Sequence, residues 1–356
     1  MAENKEILDS AAQMSNTDPS NMMGLVDGLT EMFEKGWKLA EAANIPATDK
    51  IDKLIVCGMG GSAISGDIAA MALKNKADFP VLVNRSYSCP RYVGASTLMI
   101  FISYSGNTEE TISTFKEAVK KGVKMMAISS GGQLKELAAK NNVPLIEVPK
   151  GLPPRSALGY LLSSLLCAVY RSGLAGDLKN DFDETAALLK RLHKKFGAAS
   201  SSRENEAKQM AVRLSGKLPV IMASEATTAA AALRWKTQLN ENSKMTALLS
   251  IFPELNHNDM VNFSFLKPGA HEMAFVLLRD ETDPERMKKR IEITKSLISG
   301  HVGGITEVWS QGESALARTM SLILFGDYLS LYLAALGGVD PTPVDIIEKL
   351  KKELGR

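Results

Sequence analysis

Short apolar runs alternate with amphipathic stretches through the first half of the chain. The strand-like runs lie at residues 53–57, 80–83, 98–102, 124–128 and 144–148. Continuous apolar runs are typical of parallel strands that are buried on both faces, and the helices between them supply the crossover connections. This half of the chain therefore predicts an α/β fold with a doubly wound parallel sheet.

The second half of the chain repeats this alternation. Its strand-like runs lie at residues 218–222, 273–278 and 304–309, with helical patterns between and after them. A chain of 356 residues is long enough for two domains of about 150 residues each. We expect a domain with a helical N-terminal extension over residues 1–176, a helical linker over 177–215 and a second α/β domain over 216–356.

Charge and cysteine content exclude several classes of partner. The 42 Lys and Arg residues nearly balance the 40 Asp and Glu residues, and the net charge of +2 gives no reason to expect nucleic acid or an anionic membrane as a partner. The three cysteines are far apart and odd in number, which argues against a disulfide framework and a CxxC metal site. The N-terminal residues are polar, and the most apolar stretches resemble buried core helices, so we expect a cytoplasmic protein.

A glycine-rich turn follows the first strand-like run. Glycines in Cys57-Gly-Met-Gly-Gly-Ser-Ala-Ile-Ser-Gly66 let the backbone approach a ligand, and the free amides of the following helix attract an anion. Gly60, Gly61 and Ser62 are therefore candidate phosphate-binding residues. The turn also matches the dinucleotide pattern G-x-G-x-x-G/A, but Asn84-Arg85 stands where an NAD site needs an acidic residue. An NADP site and a purely structural turn remain as alternatives.

A second turn, rich in hydroxyl groups, follows the strand-like run at residues 98–102. It reads Ser103-Tyr-Ser-Gly-Asn-Thr-Glu-Glu-Thr111. One such side chain is enough to cap a helix, which is the alternative interpretation. Three hydroxyls, from Ser103, Ser105 and Thr108, together with the amides of a helix start can bind the oxygens of a phosphate monoester. The turn therefore favours a phosphate site.

These two turns carry a resemblance to a known family. The Ser-x-Ser-Gly-x-Thr turn after a strand is similar to that of the sugar isomerase (SIS) domain superfamily, and the whole chain resembles the bifunctional phosphoglucose/phosphomannose isomerases, which contain two SIS domains. The motifs that carry the resemblance are CGMGGSAISGD, SYSGNTEET, PPRSALGY, RWKTQLNENSK, FPELNHND and GVDPTPVDIIEKL. The resemblance implies two SIS domains in tandem, sugar-phosphate substrates and no cofactor.

Two motifs supply further candidates for the reaction. Arg155 follows two prolines at the start of an apolar helix, where it can stabilise an anion or form a surface ion pair. Glu241 stands between two asparagines at the end of a helix, either as an exposed charge or as a general base. The resemblance implies that Arg155 stabilises an enediolate and that Glu241 moves a proton between C1 and C2 of the sugar.

His257 lies in the polar loop Phe252-Pro-Glu-Leu-Asn-His-Asn-Asp259. Glu254 and His257 have the E-x-x-H spacing of some metal ligands, but no third ligand follows, so a proton carrier is the better interpretation and we expect no metal. The resemblance implies that this histidine opens the sugar ring and reaches the active site from the partner subunit of a homodimer.

The C-terminal segment contains the last candidates. Proline residues precede a short amphipathic helix, which would serve only for packing in the simplest interpretation. The resemblance implies instead that Thr342 permits both C2 epimers and that Lys349 assists ring opening.

Taken together, the resemblance implies reversible isomerisation of glucose 6-phosphate and mannose 6-phosphate with fructose 6-phosphate through a cis-enediolate. Two alternatives remain: an SIS isomerase of another sugar phosphate, and a non-catalytic SIS protein that senses a sugar phosphate.

Overall fold

The computed structural model describes residues 2–48, 51–266, 273–302 and 304–355. The strands are β1 (Lys53–Cys57), β2 (Val81–Asn84), β3 (Thr97–Ser103), β4 (Lys124–Ser129), β5 (Leu145–Glu147), β6 (Leu218–Ser224), β7 (Leu248–Phe252), β8 (Met273–Arg279) and β9 (Ile305–Trp309). The helices before β6 are α1 (Ala2–Asp9), α2 (Ala11–Thr17), α3 (Met22–Asp27), α4 (Leu29–Ala42), α5 (Gly60–Leu73), α6 (Glu109–Lys121), α7 (Gly132–Lys140), α8 (Leu158–Arg171), α9 (Leu178–Phe196) and α10 (Glu206–Leu214). The later helices are α11 (Ala229–Glu241), α12 (Asp259–Phe263), α13 (Glu285–Ile298), α14 (Ala315–Leu336) and α15 (Asp345–Leu354), and two 3-10 helices cover Pro154–Ala157 and Glu254–His257.

The chain forms two compact units, each containing one sheet. The N-terminal sheet unit comprises Gly28–Lys190 and Gly312–Met320, and the C-terminal sheet unit comprises Met1–Asp27, Arg191–Gln311 and Ser321–Arg356. The segment expected as a linker is helical, since it contains α9 and α10.

The sheet of the N-terminal unit has five parallel strands in the order β2-β1-β3-β4-β5. Every residue of the central strand β3 is buried, as its continuous apolar run predicts. After β2 the chain crosses to the other side of β1 to form β3, so the order of strands reverses between β1 and β3. In doubly wound sheets, ligands bind in the crevice at the carboxyl ends of the two strands where this reversal occurs. The turns after β1 and β3 lie at that position.

The sheet of the C-terminal unit has four parallel strands in the order β7-β6-β8-β9. Since the strands are parallel, the helix α11 between β6 and β7 must begin at the carboxyl edge of this sheet and end at its amino edge. The chain then enters β7 and returns to the carboxyl edge. Residues at the end of α11 and residues just after β7 therefore lie at opposite edges.

Two apolar helices expected to be core helices are buried. All residues of α8 from Leu158 to Val169 are buried, and the glycine at 159 lets α4 approach, because a β-carbon there would lie 2.8 Å from the Leu29 carbonyl oxygen. Among the described residues, α14 alone is long and apolar enough to cross a membrane, but 94% of that apolar window is buried inside the structure. Such burial is typical of the core helix of a globular domain.

Candidate active site

The glycine-rich turn after β1 brings three segments of the N-terminal sheet unit together. Gly60 has a positive φ of 49°. A β-carbon on Gly58 would lie 2.9 Å from the Ile102 carbonyl oxygen at the end of β3, and one on Gly61 would lie 3.0 Å from the Pro154 carbonyl oxygen. The absence of side chains thus allows α5 to start close to β3 and to the 3-10 helix of the PPRSALGY motif.

The hydroxyl-rich turn after β3 gathers its side chains at the same place. The Ser103 Oγ and Thr108 Oγ1 atoms are 2.8 Å apart, and the Ser105 Oγ accepts a hydrogen bond from the Asn107 amide at 3.3 Å. Ser62 of the first turn joins them, because its Oγ accepts a hydrogen bond from the Tyr104 amide at 3.4 Å. Ser62 and Ser103 are buried, whereas Ser105 is exposed.

The hydroxyl side chains of these two turns do not cap the helices that follow them. Neither α5 nor α6 has a side-chain hydrogen bond at its N-cap. The carboxamide oxygen of Asn107 instead accepts from the Gln133 amide at 3.0 Å, in the first turn of α7. Two helix starts therefore present backbone amides beside a cluster of hydroxyls, and this combination favours binding of a phosphate group.

Arg155 lies beside these two turns. Only 4% of the residue is exposed, and its Cα would be 3.2 Å from a β-carbon on Gly61. The loop before it is fixed by Tyr104, whose hydroxyl donates to the Pro149 carbonyl at 2.8 Å and accepts from the Leu152 amide at 3.0 Å. Burial raises the pKa of this hydroxyl, so it remains a donor at neutral pH. The motif SYSGNTEET contains Tyr104, but its bonding partners are 45 and 48 residues further along and could not be identified from the sequence.

Arg85 is the residue that allowed an NADP site as an alternative interpretation of the sequence. In the structure it forms an ion pair. Its guanidinium donates to the carboxylate of Asp67 on α5. Burial raises the pKa of Asp67 and the nearby Arg85 lowers it, with burial the larger effect. The pair joins the end of β2 to α5 and gives Arg85 a structural role without a dinucleotide.

In the C-terminal sheet unit, Glu241 lies half-buried at the end of α11. One face of this helix carries polar side chains four residues apart that bind α14. Arg234 donates to the Asp327 carboxylate through Nε at 2.9 Å and Nη2 at 2.7 Å, and Gln238 donates to it at 3.1 Å. Asn242 donates to the Ser330 Oγ at 2.9 Å. The motif RWKTQLNENSK therefore fixes the helix that presents Glu241.

Lys244, three residues after Glu241, connects the end of α11 to the C-terminal tail, by which we mean residues 337–344 between α14 and α15. Its Nζ donates to the carbonyl oxygens of Glu241 at 2.6 Å, Pro343 at 2.8 Å and Pro341 at 3.2 Å. The half-buried Thr342 lies between these two prolines. The structure thus brings Thr342 close to the end of α11, through a lysine that the sequence did not single out.

His257 and Lys349 are exposed within the chain. His257 ends the 3-10 helix after β7, at the carboxyl edge of the sheet, whereas Glu241 lies at the amino edge. The two edges are separated by the length of the five-residue strand β7, about 16 Å at the usual rise per residue. The part of the chain that the structure describes has no group of three or more His, Cys, Asp or Glu residues able to hold a metal ion.

Comparisons with known proteins match a family model to each of the two sheet-containing parts of the chain. Residues 49–159 match the model of the SIS domain, and residues 203–354 match that of the bacterial phospho-glucose isomerase C-terminal SIS domain. A "Bifunctional phosphoglucose/phosphomannose isomerase" of Caldicellulosiruptor bescii is 42% identical over 94% of this chain and 98% of its own, and one of Aquifex aeolicus is 38% identical over 85% and 90%. A glucose-6-phosphate isomerase like protein from Thermus thermophilus has the same fold, with a TM-score of 0.64, 17% identity and coverage of 97% and 98%. The expected fold of two tandem SIS domains is confirmed.

Proposed function

The chain belongs to the family of bifunctional phosphoglucose/phosphomannose isomerases, and on that premise we propose that it interconverts glucose 6-phosphate and mannose 6-phosphate with fructose 6-phosphate. The observation that carries the proposal is the 42% identity to a relative of this name over nearly the whole length of both chains. It is an aldose–ketose isomerase, and its substrates are sugar phosphates. We also propose the domain boundaries expected from the sequence: an N-terminal SIS domain over residues 1–176, a linker over 177–215 and a C-terminal SIS domain over 216–356.

The phosphate group of the substrate binds at the two turns of the N-terminal sheet unit. Its ligands are the amides and hydroxyls of Gly60, Gly61, Ser62, Ser103, Ser105 and Thr108. Hydrogen bonds to a charged group are about twice as strong as those between neutral groups. The uncapped starts of α5 and α6 add the positive ends of two helix dipoles. Binding of a dianion therefore needs no net positive charge on the protein surface.

The reaction proceeds by proton transfers alone. His257, assisted by Lys349, opens the sugar ring by moving a proton between the ring oxygen and the C1 hydroxyl. The Glu241 carboxylate then removes the proton from C2 of the aldose, which leaves a cis-enediolate whose negative charge the buried guanidinium of Arg155 stabilises. Glu241 returns the proton to C1, while the hydroxyl proton passes from O2 to O1, and the product is the ketose.

Both epimers fit this scheme because C2 is planar in the enediolate. The gluco and manno substrates differ only in the side of C2 that carries hydrogen, and they share the same intermediate. Thr342, on the tail bound to the end of α11, is the residue that permits both orientations at C2. One active site then has both activities.

Substitution of Glu241 by glutamine tests the proposal. Glu241→Gln keeps the size of the side chain and removes the base, so kcat for both aldose phosphates should fall by at least about 100-fold. Glu225→Gln, at an exposed position in the same unit, is the matched control and should keep the parental rate. Parental activity in Glu241→Gln would refute the role of the base. Incubation of fructose 6-phosphate in heavy water identifies a non-catalytic sensor, which would bind the sugar without exchanging its C1 hydrogen.

The proposal includes a homodimer in which His257 comes from the partner subunit. The position of Glu241 and His257 at opposite edges of one sheet supports it. Apolar side chains near His257 and on α15 are also exposed, with exposed fractions of 77% for Phe265 and 76% for Ile346, and a second copy of the chain would cover them.

Mixing two inactive variants tests the shared site. In a heterodimer of Glu241→Gln and His257→Asn chains, one of the two sites receives a normal glutamate and a normal histidine. Mixed and refolded chains should therefore recover up to about a quarter of the parental activity. Recovery of none would show that both residues act from the same chain.

Cytoplasmic location is also part of the proposal. Phosphorylated sugars carry charge and do not cross a bilayer unaided, so an enzyme that acts on them is expected where they are made. Fractionation of cells that express the protein tests this, and activity confined to the membrane fraction would contradict it.

A further inference from the structure

The Lys244 ammonium connects two segments that are distant in sequence. It donates to the carbonyl of Glu241 at 2.6 Å and to the carbonyls of Pro341 and Pro343 at 2.8–3.2 Å. The prolines are 97 and 99 residues further along the chain. Three carbonyl oxygens match the three donors of an ammonium group. Lys244 therefore has a specific bonding arrangement although its side chain extends along the surface.

The backbone at Lys244 has an unusual conformation. Its φ is +56°, one of three positive values among the described residues other than glycine. A residue with a β-carbon has a free-energy cost in this left-handed region, and such conformations persist where the surroundings enforce them. Here the conformation turns the chain after α11 so that the lysine side chain points back to the carbonyl of Glu241.

The tail also contains an internal hydrogen bond at Thr342. Thr342 donates its amide to the Asp340 carboxylate at 2.8 Å, a contact within the tail that does not set its distance from α11. The following helix α15 has no buried residue within the chain. The contacts of Lys244 with Pro341 and Pro343 join the segment that contains Thr342 directly to the end of α11.

We propose that Lys244 is a positioning residue that sets the preference between the two C2 epimers, by fixing residues 341–343 relative to Glu241. The inference rests on the proposed function, in which Glu241 is the base and Thr342 permits both orientations at C2. The hydroxyl at C2 lies on opposite sides in the two aldoses, so a change in the separation of Thr342 and Glu241 affects one substrate more than the other. Lys244 itself touches neither substrate nor the reacting carbons.

Replacement of the ammonium tests the proposal. Lys244→Met keeps the length and apolar stem of the side chain and removes all three donors, whereas Lys244→Arg keeps the charge and several donors. The matched control is Lys236→Met, the same chemical change on α11 without these contacts. For each protein, kcat/KM is measured with glucose 6-phosphate and with mannose 6-phosphate, and hydrogen exchange is measured for peptides covering residues 338–345.

Lys244→Met should change the ratio of the two kcat/KM values by about tenfold or more, the effect of losing roughly one hydrogen bond to a charged group, and should speed exchange in the tail. Lys244→Arg should restore most of the parental ratio, and Lys236→Met should leave both measurements unchanged. A parental ratio in Lys244→Met would overturn the positioning role, and unchanged exchange would overturn the restraint of the tail.

If Lys244→Met does not fold, a parental ratio of the two kcat/KM values in Lys244→Gln would overturn the proposal. Absence of isomerase activity in the parental protein would refute the proposed function instead, and the exchange measurement would still decide whether Lys244 holds the tail.

Discussion

Removal of the buried carboxylate of Asp327 should destabilise the C-terminal sheet unit strongly. The side chains of Arg234 and Asp327 are 4% and 3% exposed, and the carboxylate accepts hydrogen bonds from Nε and Nη2 of Arg234 and from Gln238. Asp327→Ala removes the negative charge and the acceptor oxygens that face the buried guanidinium of Arg234. Removing one partner of such a pair costs about 3–5 kcal/mol of the free energy of unfolding.

The expected shift can be measured by thermal unfolding. For a unit of this size, about 2–4 °C is lost per kcal/mol, so the transition should move down by about 6–20 °C. Trp235 provides a local signal, because its ring stacks on Phe325 with centroids 5.4 Å apart and its Nε1 donates to the Leu322 carbonyl at 2.7 Å. Both contacts join α11 to α14, so the contribution of Trp235 to the fluorescence reports on the same interface.

A double variant separates the ion pair from the packing around it. Arg234→Met with Asp327→Leu replaces both charges by apolar groups, which is often neutral because desolvation of the charges is avoided. We expect the double variant to be clearly more stable than Asp327→Ala. If Asp327→Ala lost less than about 1 kcal/mol, or if the two single losses simply added in the double variant, the reasoning would be refuted.

Local features of the fold and of the phosphate site could be predicted from the sequence. The strand β3 followed from its apolar run, and the turn after it followed from three hydroxyls that lie within six residues. The Ser103–Thr108 contact joins residues only five positions apart, so a single turn is sufficient to form it. Helix starts and anion sites depend on the same few backbone amides, which is why the pattern predicted both.

Contacts between distant segments could not be predicted in this way. The bonds of Arg234 to Asp327 and of Lys244 to Pro341 join residues 93 and 97 positions apart, and no local pattern reveals which helices will pack together. The tertiary bonds of the polar helix α1 could not be predicted from the sequence either. Its last residue, Asp9, accepts hydrogen bonds from Ser202 and from the buried Lys208. Tertiary bonds of this kind stabilise a short helix whose own propensity is insufficient.

Two further predictions concern the site loop and the cysteines. Gly106→Ala should lower stability by more than about 2 kcal/mol and raise KM for sugar phosphates, because Gly106 has φ +73° and a β-carbon there would lie 1.8 Å from the Gly131 carbonyl oxygen. The control Gly122→Ala has a similar φ of +64° but no atom within 4 Å, so thermal unfolding should show a loss of only about 1–2 kcal/mol, and equal losses would contradict the clash. The buried thiol of Cys167 should not react with a disulfide reagent at pH 8, because burial raises its pKa to about 12. A raised folded-state pKa favours the neutral thiol, so its contribution to stability is present below the unfolded pKa of about 8.5 and is lost as pH rises from there towards the folded value. Rapid reaction of Cys167 in the folded protein, followed by mass spectrometry, would show that α8 is not buried as described.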